Sequence, residues 1–204
     1  MSIAKEGIPF ILAPLVIGAF LIYLGGAWAY PAALFIAIGL FSAFFFRDPS
    51  RKIPASETSV IGPADGVVME VTTENGKKVM RMFLSVFNVH IQRAPVAGKV
   101  TKVEYRPGKF VPANNPEAHS INEQNVITIE TKHGDFIVKQ VAGIIARRVV
   151  ARVKPGDVLK KGDQIGLIRF GSQVDIHVPD CVAIQVKPGD KIIGGETIVG
   201  EITC

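Results

Sequence analysis

The sequence predicts a mainly β fold, a compact barrel or sandwich of hairpin repeats, with an N-terminal helical membrane hairpin. Three observations predict it. From Gly7 to Phe46 there are 40 residues without Asp, Glu, Lys, Arg or His. After Val60 the chain changes to short runs rich in Val, Ile and Thr, punctuated by Gly and Pro. Two phrases also recur: Val153-Lys-Pro-Gly-Asp157 returns as Val186-Lys-Pro-Gly-Asp190, and Pro63-Ala-Asp-Gly-Val-Val68 is echoed by Pro95-Val-Ala-Gly-Lys-Val100. The 204 residues suit one catalytic domain plus an appendage. With 20 Gly and 13 Pro, a long-helix or coiled-coil protein is excluded.

The arm, residues 1–46, raises the mean hydropathy to +0.32. It divides at Gly25-Gly26 into Ile8–Leu24, 17 residues, and Ala27–Phe46, 20 residues. Both match the apolar length of a spanning helix, about 17–25 residues. Two helices joined by a tight turn put Lys5 and Arg47 on one side. Pro31 stands where a second helix starts, while Pro9 and Pro14 weaken the first and leave a shallow re-entrant hairpin as an alternative to a full crossing. A signal peptide is excluded, because the apolar stretch is too long and the start carries one Lys and one Glu. Arg47, Arg51 and Lys52 follow at once, so the positive-inside rule places the rest of the chain on the cytoplasmic side of a cell membrane.

Residues 47–204 read as one β-rich domain. Candidate strands are Val67–Thr72, Val79–His90, Val100–Tyr105, Val126–Thr131, Phe136–Ala142, Ala146–Val153 and Val174–Val178. Asn75-Gly76, His133-Gly134-Asp135 and Pro155-Gly156-Asp157 are turn signals between them. Pro116–Asn125 is the one short helical candidate. The Lys-Pro-Gly-Asp echo has an offset of 33, and Gly162 and Ile165 recur with it as Gly195 and Ile198. Such turn–strand–turn units build barrels and sandwiches. Lipoyl and biotinyl carrier domains use similar echoes, but their modified lysine at a hairpin tip has no match here.

The candidate chemistry is sparse. Cys181 and Cys204 are too few for a disulfide scaffold or a Cys-rich zinc site. No two histidines have metal-ligand spacing, so no metal is expected, and no phosphate loop or dinucleotide fingerprint occurs. His133 and His119 read as solvated loop residues, and His177 as the polar face of a strand in which Val174, Ile176 and Val178 alternate with Asp175 and His177. His90 closes the apolar run Met82–His90, where a histidine needs a partner or stays neutral at a cost. By itself it reads as a satisfied core histidine. Asp65 fits a simple Asp-Gly turn, and Gly171-Ser172 a turn before a strand.

In order along the chain, Phe45-Phe-Arg-Asp-Pro49, Pro63-Ala-Asp-Gly66, Phe83-Leu-Ser-Val-Phe-Asn-Val-His90, Asn122-Glu-Gln-Asn125, Gly143-Ile-Ile-Ala-Arg-Arg148 and Phe170-Gly-Ser-Gln-Val-Asp175 resemble the phosphatidylserine decarboxylase family in its short bacterial or archaeal form. The likeness covers nearly the whole chain, arm included. It implies self-cleavage between Gly171 and Ser172 into residues 1–171 and 172–204, and conversion of Ser172 into a covalent pyruvoyl group. That group is the cofactor, taking up a substrate amine as a Schiff base while CO₂ leaves, as pyridoxal phosphate does elsewhere. His90 is implied as proton donor, with an ordinary pKa near operating pH, and Asp65 as a processing and orienting residue. Long-form members carry Leu-Gly-Ser-Thr where this chain has Phe-Gly-Ser-Gln. They also carry a second histidine where this chain has Arg93.

The implied reaction turns phosphatidylserine into phosphatidylethanolamine and CO₂. The partners are then the membrane, an anionic aminophospholipid, the chain's own two cleaved pieces held in a tight complex, and a homo-oligomer as a further option. Formal charge agrees: the net +5 lies entirely after residue 46, and basic residues near a bilayer gain about 1 kcal/mol each from anionic headgroups. Nucleic acid is excluded as a partner, because no aromatic residues interleave with the basic ones. Three alternatives stand beside this: archaetidylserine as the substrate of the same chemistry, a non-enzymatic lipoyl-like membrane adaptor, and a hydrolase using Ser172, His90 and Asp65. The last lacks a Gly-x-Ser-x-Gly elbow.

Overall fold

The computed structural model describes every residue except Met1, Asn75, Ala113, Asn114, Pro116, 144–147, Phe170 and Gly171. The chain divides into two compact units, Met1–Ser50 and Arg51–Cys204. In the first, β1 (Ser2–Ile3) pairs antiparallel with β2 (Arg47–Asp48), and between them run α1 (Ile8–Leu24) and α2 (Ala29–Phe45). Gly25 and Gly26 supply the turn with φ of 71° and 60°, a region where side chains are strained. The Ala4 N–H donates to the Phe46 carbonyl at 2.9 Å, so both ends of the hairpin meet on one side. Small residues bring the helices close: a Cβ on Gly18 would lie 2.8 Å from Ile36, and one on Gly39 2.7 Å from Leu15. Leu12, Val16, Leu34 and Leu40 face outward. Both helices are long and apolar enough to cross a membrane, and they are compatible with membrane association. Helix α1 runs unbroken through Pro14.

The second unit is mainly β. Its strands are β3 (Ser59–Ile61), β4 (Gly66–Glu74), β5 (Lys77–Leu84), β6 (Ile91–Arg93), β7 (Gly98–Arg106), β8 (Gln124–Thr131), β9 (Gly134–Ala142), β10 (Val149–Ala151), β11 (Val158–Leu159), β12 (Gln164–Ile168), β13 (Ser172–Val178), β14 (Val182–Ile184), β15 (Lys191–Ile192) and β16 (Ile198–Ile202). Eight of them form an antiparallel sheet curled into a half-barrel, in the order β11-β7-β8-β9-β13-β5-β4-β15. Two three-stranded sheets, β10-β12-β6 and β14-β16-β3, complete the fold. The core lies on one face of the large sheet, where Met80, Met82, Ile127, Ile129, Phe136, Val138, Val174 and Ile176 interlock. That face follows from alternation along β5, β8, β9 and β13, while β4 and β7 break register between Val68 and Glu70 and between Val100 and Lys102.

The repeated phrases pair with each other. The Val68 N–H donates to the Asp190 carbonyl at 2.9 Å and the Gly189 N–H to the Val68 carbonyl at 2.8 Å. The same exchange joins Val100 to Asp157 and Gly156, both at 2.8 Å. In each Lys-Pro-Gly-Asp turn the aspartate caps the lysine N–H, at 2.9 Å for Asp157 and 2.9 Å for Asp190. The glycines need φ of 98° and 94°. So β11 and β15, the two edges of the large sheet, are the same hairpin device used twice.

Three expectations require correction. The run Val79–His90 is not one strand: β5 ends at Leu84, and a Ser85–Asn88 turn follows, because the Ser85 N–H and hydroxyl both donate to Asn88 Oδ1 at 2.9 and 2.8 Å. Of Pro116–Asn125, Pro116 lies outside the described residues, and the helix among the rest is only α3 (Ala118–Ile121), with Gln124 and Asn125 drawn into β8. Strand Ala146–Val153 shrinks to β10, with 146 and 147 outside the described residues.

Candidate active site

Ser172 opens β13, the strand between β9 and β5, and pairs with Ala142 on one side and Leu84 on the other. It shares the core-facing side with Val174, Ile176 and Val178. Its side chain is fully buried, and its Oγ has no hydrogen-bond partner among the described residues. Leaving a buried hydroxyl unsatisfied costs about 1–3 kcal/mol, so this atom has a reason other than stability. Gly171 and Phe170, the preceding part of the expected cleavage site, lie outside the described residues.

His90 leaves the Ser85–Asn88 turn and enters β6, fully buried. Its Nδ1 is 3.0 Å from the Asn88 carbonyl, which only accepts, so Nδ1 carries the hydrogen and the lone pair of the neutral ring sits on Nε2. The His90 carbonyl accepts from the Ile168 N–H at 3.2 Å, four residues before Ser172 in the chain. It also accepts from Gln92 Nε2 at 2.8 Å. Gln140 Nε2 then donates to Gln92 Oε1 at 2.7 Å, and Asn125 Nδ2 to Gln140 Oε1 at 3.4 Å. This buried amide chain ties the His90 backbone to the middle of the large sheet. Gly166 makes room for it, since a Cβ there would lie 2.4 Å from Gln140 Nε2.

Asp65 directly precedes β4. Val67 pairs with Phe83, and the next residue of β5, Leu84, pairs with Ser172, so Asp65 and Ser172 stand at one end of the sheet with β5 between them. Asp65 is held by Arg51, whose Nη2 lies 2.9 Å from both carboxylate oxygens, and by the Gly194 N–H at 2.8 Å. Its hydrogen bonds do not reach His90 or Ser172 among the described residues. Arg93 donates from Nη1 to the Gly162 carbonyl at 3.1 Å, and its N–H to the Pro63 carbonyl at 2.8 Å, which fixes it beside the Asp65 corner.

The opposite face of β13 is polar and also buried. Asp175 accepts from Gln173 Nε2 at 2.6 Å, and its other oxygen is 3.6 Å from Arg81 Nε. Arg81 also pairs with Glu70 and Glu74. Burial pushes the Asp175 carboxyl up to about 6, against the pull of Gln173 and Arg81. Burial, helped by nearby Lys139, pushes the His177 imidazole down to about 4. His177 is on the polar face, as its alternation predicts, but that face is not solvated. Asn122 is a structural clamp, donating to the carbonyls of Val111 at 2.8 Å and Ala142 at 2.7 Å.

The structure places Ser172 and Asp65 at one end of the large sheet and His90 on the segment that follows the end of β5 at Leu84, each on a different support. Sequence reasoning missed Arg51, Gln92 and Gln140 as those supports. A fully buried hydroxyl with no partner among the described residues, on a strand position paired with Ala142 and Leu84, fits a group formed from Ser172 itself.

Comparison with known proteins gives the family. The family model described as phosphatidylserine decarboxylase matches residues 38–200. A phosphatidylserine decarboxylase proenzyme of Geotalea daltonii is 43% identical over 210 residues, covering 100% of this chain and 98% of the relative. That of Geotalea uraniireducens is 45% identical over 97% of this chain and 95% of its own. That of Carboxydothermus hydrogenoformans is 46% identical over 80% of each.

Proposed function

Because this chain belongs to the phosphatidylserine decarboxylase family, we propose that it is a proenzyme that cuts itself between Gly171 and Ser172 and then decarboxylates phosphatidylserine at Ser172. The family's enzymes are pyruvoyl-dependent carboxy-lyases, and decarboxylation of phosphatidylserine is the activity that membership assigns. The observation that carries the residue-level reading is the buried Ser172 Oγ, which has no hydrogen-bond partner among the described residues.

In the cleavage, Ser172 Oγ attacks the Gly171 carbonyl carbon and the peptide becomes an ester. Loss of the Ser172 α-proton expels the Gly171 carboxylate, freeing residues 1–171. Water then replaces the nitrogen of the remaining dehydroalanine, releasing ammonia. The pyruvoyl ketone left at 172 supplies an electrophile for the substrate amine and a sink for the electron pair that departing CO₂ leaves behind. Protonated at Nε2, His90 delivers a proton to the α-carbon, its ring fixed through Nδ1 by Asn88 and its backbone by Gln92. Asp65, clamped by Arg51 and Gly194, orients the end of the sheet where Ser172 reacts.

The arm anchors the protein, with the β unit on the cytoplasmic side because Arg47, Arg51 and Lys52 flank the second helix. Headgroup attraction to the +5 charge concentrates the anionic substrate there. The test is to supply phosphatidylserine vesicles to purified protein, measure CO₂, and label with a ketone reagent. We expect CO₂ release, with label on the carboxyl-terminal piece alone. An intact chain that reacts with a fluorophosphonate at Ser172 and releases no CO₂ contradicts the reading.

A further inference from the structure

At the far end of β13 from Ser172, three soft ligands converge from three separate elements. His133 stands in the β8–β9 turn, fixed by its N–H to Thr131 Oγ1 at 3.0 Å and by the Thr131 hydroxyl to the Gly134 carbonyl at 2.8 Å. Gly134 packs against Pro179, with a Cβ position 3.2 Å from the proline ring, which sets this turn beside Cys181. Cys181 lies in the β13–β14 turn, and its carbonyl accepts both the N–H and the hydroxyl of Thr203 at 2.8 Å. These two hydrogen bonds from Thr203 bring Cys204 alongside. His133 Nδ1 is 3.2 Å from Cys204 Sγ, and the ligand atoms of His133, Cys181 and Cys204 all lie within 4.8 Å of one another. Both thiols are free.

We infer that His133, Cys181 and Cys204 form a binding site for a thiophilic divalent cation, zinc by preference. Zinc takes thiolate sulfur at about 2.3 Å and imidazole nitrogen at about 2.0 Å in a tetrahedron, which sets its ligand atoms roughly 3.5–3.8 Å apart. The cluster, with one pair at 3.2 Å and all pairs within 4.8 Å, brackets that spacing. Two thiolates and one imidazole also favour zinc over magnesium or calcium, which demand oxygen. Cys204 is exposed, so the fourth position opens to water. Sequence spacing hides the site because its ligands are 71 residues apart between His133 and Cys204.

The site has a clear use if the cleavage proposed above occurs. His133 then belongs to the large piece and both cysteines to the piece starting at Ser172, so the ion clips the two chains together. The seven-residue β13 separates the clip from Ser172 by roughly 20 Å, so it plays no part in the chemistry there.

The test uses full-length, thiol-reduced protein in detergent, titrated with Co²⁺ as a spectroscopic probe and then with Zn²⁺. One Co²⁺ per chain with a thiolate-to-metal absorption band, displaced by Zn²⁺, is expected. The band should vanish in Cys181→Ser and weaken sharply in His133→Ala. At hundredfold excess over the dissociation constant, Zn²⁺ should raise the unfolding midpoint by about 5–10 °C in wild type but not in Cys181→Ser. The uncleavable Ser172→Ala chain should bind Co²⁺ equally, which separates failure of this site from failure of self-cleavage. No thiolate band, a band untouched by both substitutions, or a Cys181–Cys204 disulfide that persists in reductant and leaves no thiol for the metal overturns the proposal.

Discussion

The two edges of the large sheet carry the same hairpin device, yet only one of the two corners that meet it has an aspartate at its third position. Pro63-Ala-Asp65-Gly66 meets the β15 hairpin, and Pro95-Val-Ala97-Gly98 meets the β11 hairpin, through matching exchanges of backbone hydrogen bonds. Both glycines are forced by close approach: a Cβ on Gly66 would lie 2.4 Å from the Phe83 carbonyl, and one on Gly98 2.5 Å from the Glu130 carbonyl. At the third position, however, Asp65 faces Arg51 in the first corner, and the second corner has the methyl of Ala97. The fold forms that corner without a charge. The Asp65–Arg51 pair is therefore not needed to build such a corner, and the first corner stands at the end of the sheet where β5 also meets Ser172.

The predictions test that asymmetry, beginning with the proposed proton donor. His90→Ala should cleave as wild type but decarboxylate about 10²–10⁴-fold more slowly per cleaved chain, the usual worth of a positioned acid. Wild-type turnover in that variant removes His90 from the mechanism. Asp65→Asn should slow self-cleavage by about 10²-fold, whereas Ala97→Ser, the matching change in the other corner, should leave the cleaved fraction unchanged. Equal effects from both corners would dissolve the comparison.

Gly66→Ala and Gly98→Ala should each destabilise by about 1–3 kcal/mol, because a carbonyl occupies the space of the new methyl. Denaturant midpoints should fall together for the pair, since backbone geometry is what the corners share. The smallest effect concerns pH. Asp175, raised from 3.8 to about 6, contributes stability that is full below 3.8 and lost as pH rises through 6. His177, lowered from 6.5 to about 4, contributes stability that is full above 6.5 and lost as pH falls through 4. Between these limits the two slopes oppose each other. Asp175→Asn leaves the His177 slope alone, so its unfolding midpoint should drop more steeply than that of wild type from pH 6.5 to 4. A parallel pair of curves rejects this.

What the sequence made legible was local. The alternation of Val174, Ile176 and Val178 identified a half-facing strand, and the Lys-Pro-Gly-Asp phrases identified turns whose aspartates cap in place. Failures came where a short-range side-chain bond overruled a pattern, as Asn88 did in ending β5, or where a neighbour claimed a residue, as β8 did with Gln124 and Asn125. The site was half visible. The motifs carrying Ser172, His90 and Asp65 resembled a family, but Arg51, Gln92 and Gln140 look like any basic or amide residue until folding aims them. The burial of Gln173, Asp175 and His177 was hidden for the same reason: alternation says which face a residue takes, not what covers that face.

The central claim is that the bond between Gly171 and Ser172 breaks, and the intact masses in freshly purified wild-type protein test it most directly. The account predicts two species and no remaining 22.0 kDa chain, the smaller of about 3.6 kDa, corresponding to the 33 residues from Ser172 to Cys204, with a blocked amino terminus. Ser172→Ala should give the single 22.0 kDa mass. A wild-type protein that stays whole, or a small piece that begins with a free amine, contradicts it.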